Sequence, residues 1–282
     1  MMMVPAMLIV CSIIVFPLLS TIYTSFFYWK GQGFSMRFVG IDNYLKIFSD
    51  ERFLNAIKNN ILWLLMYLVV PVLTGFALAM LLNTDVPGQN VFKSIFYFPG
   101  VISFIATGII FSLVFHSRNG LINVVLRGIG LDFLAVSWLS SPFFALPAIV
   151  VASSWQYVGF CMVLFLAAIQ QVPAEHIEAA DMDGAVLRQK ILHIILPWIR
   201  PVTTVVLVIT VINSIRVFDL VFVMTGGGPA NMTEVIGLLM YQKSFTDLLW
   251  GEGSSYGVIM LLLTSIPAVL YVRTMLKREE PV

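Results

Sequence analysis

Residues 59–84 read NNILWLLMYLVVPVLTGFALAMLLNT, without a single acidic or basic side chain. A hydrocarbon core about 30 Å thick is crossed by roughly 20 apolar residues of helix, so this run is long enough to span a membrane. Working outward from it, similar apolar runs recur on both sides, and we expect six spans, over 4–29, 59–83, 94–116, 142–170, 201–225 and 253–273. The first has no basic stretch ahead of it and exceeds the 7–15-residue core of a signal peptide, so it is read as a span. The fourth is started at Pro142 because residues 137–142, SWLSSP, are polar and turn-forming. Internal Pro71, Pro147 and Pro267 are tolerable where neighbouring helices re-satisfy freed backbone groups.

Composition agrees. Apolar residues are 59% of the chain and charged ones 11%, against about 45–50% and 25% in soluble domains. The surplus apolar surface needs lipid to face. A net charge of +1 offers no basic surplus for nucleic acid. Two cysteines, Cys11 and Cys161, make no disulfide framework. The expected fold is therefore an all-α integral membrane protein, one transmembrane domain over residues 1–282.

Between the first two spans, residues 41–48 carry apolar side chains at helical spacing and suggest a short interfacial helix. Six spans put both termini on one side. The Lys and Arg count that should orient them gives seven against eight, with Arg216 inside span five, and decides nothing. The basic end from Arg273 to Arg278, including Lys277, weakly favours a cytoplasmic C-terminus.

The segment linking spans four and five is PAEHIEAADMDGAVLRQKILHIILPWIRP, residues 173–201. Pro173 suits a helix start, and Glu175 and Glu178 sit near the positive end of that helix dipole. Gly184 permits a bend. A second helix over 186–195 places Leu187, Ile191, Ile194 and Ile195 opposite Arg188, Gln189 and Lys190, and Pro197 and Pro201 stop it. Connectors in helical bundles usually take about 2–8 residues. An amphipathic elbow this long is suited to docking another protein.

Glu178-Ala179-Ala180, Asp183-Gly184-Ala185 and Ile194-Ile195-Leu196-Pro197 resemble the EAA signature of permease subunits of binding-protein-dependent ABC importers. Phe38 to Tyr44, Phe218-Asp219-Leu220 and Thr225 to Pro229 are similar to the carbohydrate branch, the maltose and glycerol-phosphate permeases. Ile191 departs from the Phe common there. The resemblance implies a type I importer permease in a bacterial inner membrane, with cytoplasmic termini and a cytoplasmic coupling loop at 171–200. Glu178 would meet a basic group of the ATPase, Gly184 would bend the elbow, Ala179, Ala180 and Ala185 would allow close approach, and Ile191 would fill the docking cleft. Partners implied are a second related permease, two ATP-binding subunits carrying ATP and magnesium, and an extracytoplasmic solute-binding protein. Residues 30–58, 117–141 and 225–252 would lie outside, and this chain itself would bind no cofactor.

Polar residues within the spans are the candidates for the solute path. On a continuous helix Thr210, Asn213, Arg216 and Asp219 are offset by about 60° from one to the next and share one broad side. Arg216 and Asp219, at i and i+3, are close enough to pair. Ionisable groups at membrane depth face a cavity or one another, so the pair either lines the path or ties helices together. Gln156 and Tyr157 in span four are comparable candidates. His116, His176 and His193 have no second ligand set, and the fourteen methionines read as packing. The Gly226–Pro229 loop lacks the Lys-Ser/Thr of a phosphate loop, and no paired catalytic carboxylate or nucleophile elbow occurs. The leading expectation is a permease that does no chemistry, moving a sugar or sugar-like solute. A self-contained secondary transporter or channel, an importer permease for another solute, and a membrane-embedded enzyme are the rivals.

Overall fold

The computed structural model describes residues 3–31, 33, 35–84 and 87–279. Gln32, and the side chains of Lys277 and Arg278, lie outside the described residues. Helix α1, Val4–Ser25, has no part of its apolar window buried. Met7, Leu8, Ile13 and Phe16 are each more than 60% exposed, a surface too apolar to be left to water. The run expected to continue to residue 29 leaves the helix at Ser25. Phe27–Tyr28 pairs antiparallel with Arg37–Phe38, a two-residue ribbon that holds the only strands among the described residues. Helix α2, Asp42–Ser49, is the short helix expected from its periodicity.

Helix α3, Glu51–Leu82, passes through Pro71 without a break and starts eight residues before the expected span. The Asp50 side chain caps it, accepting from the Arg52 amide at 2.9 Å. The expected third span is not one helix. Helix α4, Gln89–Val101, and helix α5, Phe104–Val114, meet at 101°. Pro99 and Gly100 end the first, and the Ser103 hydroxyl caps the second through the Ala106 amide at 3.2 Å. Helix α6, Leu121–Gly128, follows, and α7, Ala145–Ile169, is the innermost long helix.

Helices α3 and α7 form the most extensive pair. Gly75 makes this possible, since a Cβ there would sit 2.5 Å from the Cys161 Cβ. Gly159 does the same on the other side of α7, where a Cβ would lie 2.3 Å from the Phe96 carbonyl oxygen of α4. The main core gathers around this pair, with Trp63, Tyr67, Met162, Phe165 and Val206 buried in it.

Helix α8, Ala174–Met182, and helix α9, Leu187–Trp198, make up the elbow. Pro197 does not stop α9: a π-helical turn over Ile191–Ile195 precedes it, and it falls in the first turn of the Leu196–Trp198 segment, where a missing donor matters least. The chain turns 76° after it, at Ile199, into α10, Arg200–Ile215. Span five is also interrupted. Helix α10 ends at Ile215 and α11, Asp219–Met224, restarts after three residues. Helix α12, Ile236–Tyr241, and α13, Trp250–Glu279, complete the chain. Among the described residues four helices, or six counting each bent pair as one, are by length and composition able to cross a membrane.

Candidate functional site

The elbow is built by a helix ending. Gly184 adopts φ +72°, a left-handed conformation that favours glycine. The Gly184 amide donates to the Asp181 carbonyl at 3.0 Å and the Ala185 amide to the Ala180 carbonyl at 2.9 Å. These two bonds satisfy carbonyls that α8 would leave orphaned. Val186 then opens α9, its amide held by the Gln189 side chain at 2.8 Å. Lys190 pairs with Asp181 across the bend.

Glu178, Ala179, Asp183 and Gly184 are exposed on this turn, with Ala180 and Ala185 half-buried. Ile191 and Leu196 are half-buried against the chain's own core, and Pro197 is exposed. The apolar side chains held outward are instead Met182 at 89%, Leu187 at 63% and Val186 at 62% exposure. Sequence reasoning passed over Met182 and Val186, because periodicity cannot say which side of a short helix the bundle will cover.

About halfway along α3 lies a cavity of about 250 Å³. Tyr157, Asn213, Arg216 and Asp219 line it together with Trp63, Tyr67, Phe104 and Ser153. The Tyr67 and Tyr157 rings are stacked, with centroids 5.0 Å apart. The Tyr67 hydroxyl lies 2.7 Å from the Ser153 hydroxyl, and that of Tyr157 lies 3.2 Å from Thr210. Asn213 and Arg216 are exposed, so the cavity is open on their side.

Arg216 and Asp219 form no ion pair. The break after Ile215 removes the helical geometry that i,i+3 pairing requires, and each presents its charge separately to the cavity. Gln156 is not part of this lining. It is buried, and its amide donates to the Ile102 carbonyl, freed where α4 bends into α5.

Elbow and cavity do not stand alone along α3. Met80 and Leu81, near its C-terminal end, line a groove shared with Glu178, Leu187 and Lys190 of the elbow. At its N-terminal end Arg52 pairs with the buried Glu234 and also donates to Gln242 at 2.7 Å. Asn59 donates to the carbonyls of Met232 and Glu234 at 3.0 and 2.7 Å. Elbow and 231–236 loop thus occupy opposite ends of a helix about 45 Å long, with the cavity between. Among the described residues no cluster of His, Cys, Asp and Glu is suited to holding a metal.

A profile of the family described as binding-protein-dependent transport system inner membrane component matches residues 71–278. The osmoprotective compounds uptake permease protein GgtC of Synechocystis sp. is 40% identical over 268 residues, covering 92% of each chain. The multiple sugar-binding transport system permease protein MsmF of Streptococcus mutans is 32% identical, over 94% of this chain and 90% of its own. In fold the chain is similar to a bacterial alginate ABC transporter solved with an alginate pentasaccharide-bound periplasmic protein. There the TM-score is 0.82 at 23% identity, over 96% of this chain and 91% of that one.

Proposed function

The chain belongs to the family of inner membrane components of binding-protein-dependent transport systems, and from that premise we propose that it is a permease subunit importing a sugar or sugar-like solute at the expense of ATP. Hydrolysis takes place on two separate ATP-binding subunits, where ATP and magnesium reside. The observation that carries this reading is the elbow, whose exposed Met182, Val186 and Leu187 surround an acidic turn at one end of the bundle. Apolar side chains held in water by a hydrogen-bonded turn are stable docking points for a protein cleft. Glu178 meets a basic group there, and Gly184 keeps the bend.

The elbow end is then cytoplasmic, both termini with it, and residues 30–58, 117–141 and 225–252 face an extracytoplasmic binding protein. The cavity lies near the membrane midplane. Its volume is below the 300–1,000 Å³ usual for ligand sites, and its open side is where a second, related permease completes it. The edges of Tyr67 and Tyr157 form a rigid apolar wall for a sugar ring, while Asn213, Arg216 and Asp219 offer donors and acceptors for hydroxyl groups. The names of GgtC and MsmF, proteins of osmoprotectant and sugar uptake, favour this solute class.

Closure of the ATP-binding pair draws the two elbows together and favours the outward-open bundle. The partners do this only in so far as each binds one conformation better than the other. The test is co-expression with candidate ATP-binding subunits and a second permease, followed by ATP hydrolysis assays with binding protein and a panel of sugars. Stimulation by one or a few sugars is expected. Uptake by the purified chain alone, indifferent to ATP, would overturn the reading in favour of a secondary transporter.

A further inference from the structure

Two breaks in the helices free backbone carbonyls within the bundle, and each is met by a side-chain amide. Gln156 takes the one at Ile102. The other is at the end of α10, where the carbonyls of Ser214 and Ile215 lose their helical partners because the chain leaves the helix at Arg216. Asn60, on α3 and 6% exposed, donates to the Ser214 carbonyl at 2.7 Å and to that of Ile215 at 3.4 Å. Its side-chain oxygen accepts from the Ile236 amide at 3.0 Å. That amide opens α12 and has no helical acceptor of its own. One side chain therefore satisfies the last carbonyls of one helix and the first amide of another. Only this orientation of the amide does so, since donors face carbonyls and the oxygen faces an N–H.

The two segments so joined differ in what they touch. The residues just past Ser214 and Ile215 are Arg216 to Leu220, a continuous wall of the central cavity. Those just before Ile236 are the loop that Asn59 and Arg52 hold at the far end of α3. Helix α12 rests directly on the break: a Cβ on Gly237 would lie 2.8 Å from the Val217 carbonyl oxygen.

We infer that Asn60 is a positioning residue, coupling the 231–236 loop to the cavity wall at 216–220 through its two-sided amide. A displacement of the loop against α3 pulls on the Ile236 bond, and the same amide carries the pull to Ser214. Because buried backbone groups in a membrane bundle have no water to fall back on, the bridge gives way as a unit.

The inference rests on the importer reading for its second measurement but not for its first. Asn60→Asp changes one group while keeping the shape. With the introduced carboxyl protonated, it donates to Ser214 and accepts from Ile236 as the amide does. Ionised, it repels the carbonyl. The first measurement is amide hydrogen exchange of the full chain in lipid nanodiscs. Relative to wild type, exchange across 214–219 in Asn60→Asp is expected to rise about tenfold at about pH 8.5 and to match wild type at about pH 5.5. The second is the ratio of binding-protein-stimulated to basal ATP hydrolysis in the assembled complex. It is expected to fall about tenfold in Asn60→Asp at the alkaline pH, with basal hydrolysis unchanged, and to recover at the acid one. Asn60→Leu should be low at both. Exchange in Asn60→Asp that differs from wild type equally at both pH values, or not at all, overturns the bridge. A pH-dependent exchange with an unchanged stimulation ratio overturns the coupling. Absence of any stimulation in wild type strikes the importer reading instead.

Discussion

Tyr67 of α3 and Tyr157 of α7 lie face to face at the cavity, ring centroids 5.0 Å apart and planes 12° from parallel. Each hydroxyl is fixed on its own side, Tyr67 at Ser153 and Tyr157 at Thr210. The rings are thus held by polar anchors, and Tyr157 also stacks on Phe160 with centroids 5.4 Å apart, so it is the edges of these buried rings that border the cavity. Replacing Tyr157 with Ala removes the ring on which Tyr67 packs and loosens the cavity wall, and should raise the half-saturating sugar concentration about tenfold, the upper range for a lost aromatic pair, with little change in maximal uptake. Tyr67→Phe keeps the ring and loses one hydrogen bond, and should shift it only about twofold. Sugar-dependent uptake in proteoliposomes measures both.

The pairing of those helices depends on Gly75. A larger residue there would bring its Cβ to 2.5 Å from that of Cys161 and 3.0 Å from the Met162 backbone nitrogen. Neither is a flexible chain end that can move aside. Gly75→Val should cost roughly 3 kcal/mol or more, and size-exclusion chromatography in detergent should show loss of the monodisperse peak. A normal elution profile with an unchanged thermal midpoint would mean the helices have room to part.

Glu234 is 1% exposed and draws its countercharge from Arg52, 40% exposed at the rim. Removing the cation strands a buried carboxylate, so Arg52→Met should destabilise by about 3 kcal/mol. The double variant Arg52→Met/Glu234→Gln should regain most of that, because no uncompensated charge remains. Thermal unfolding in detergent distinguishes the two, and equal losses in the single and double variants would contradict the argument.

Across the elbow, Asp181 is 55% exposed and Lys190 18%. So exposed a pair contributes at most about 1 kcal/mol to stability. It does restrain the angle between α8 and α9. Asp181→Asn should leave the thermal midpoint nearly unchanged and lower sugar-stimulated ATP hydrolysis about fivefold. Unaltered stimulation would show that the Gly184 turn alone fixes the bend.

Helix content and the elbow were legible in the sequence because both are local. Charge-free runs of membrane length and a glycine between two amphipathic stretches need no tertiary knowledge. Tyr157, Asn213, Arg216 and Asp219 were picked out by polarity at membrane depth, and they do meet at one cavity. Their geometry was not foreseeable, since the Ser214 carbonyl left open at the break after Ile215 is met by Asn60, 154 residues away in sequence. The 101° bend before Phe104 did carry a local signal, the Pro99-Gly100 pair that ends α4, which reading 94–116 as one span passed over. Gln156 looked like a pathway residue for the same polarity, and the freed Ile102 carbonyl claims it instead. Glu234 gave no signal, because its partner is 182 residues distant.

Whether the elbow transmits the energy of ATP is decided by Glu178→Lys, a reversal of charge on an exposed residue that touches no core. The measurement is co-purification of the ATP-binding subunits with the variant, alongside uptake in the same proteoliposomes. The account predicts normal membrane insertion with attachment and uptake reduced about tenfold or more, the scale of a lost charge pair turned repulsive. Full attachment together with wild-type uptake would contradict it.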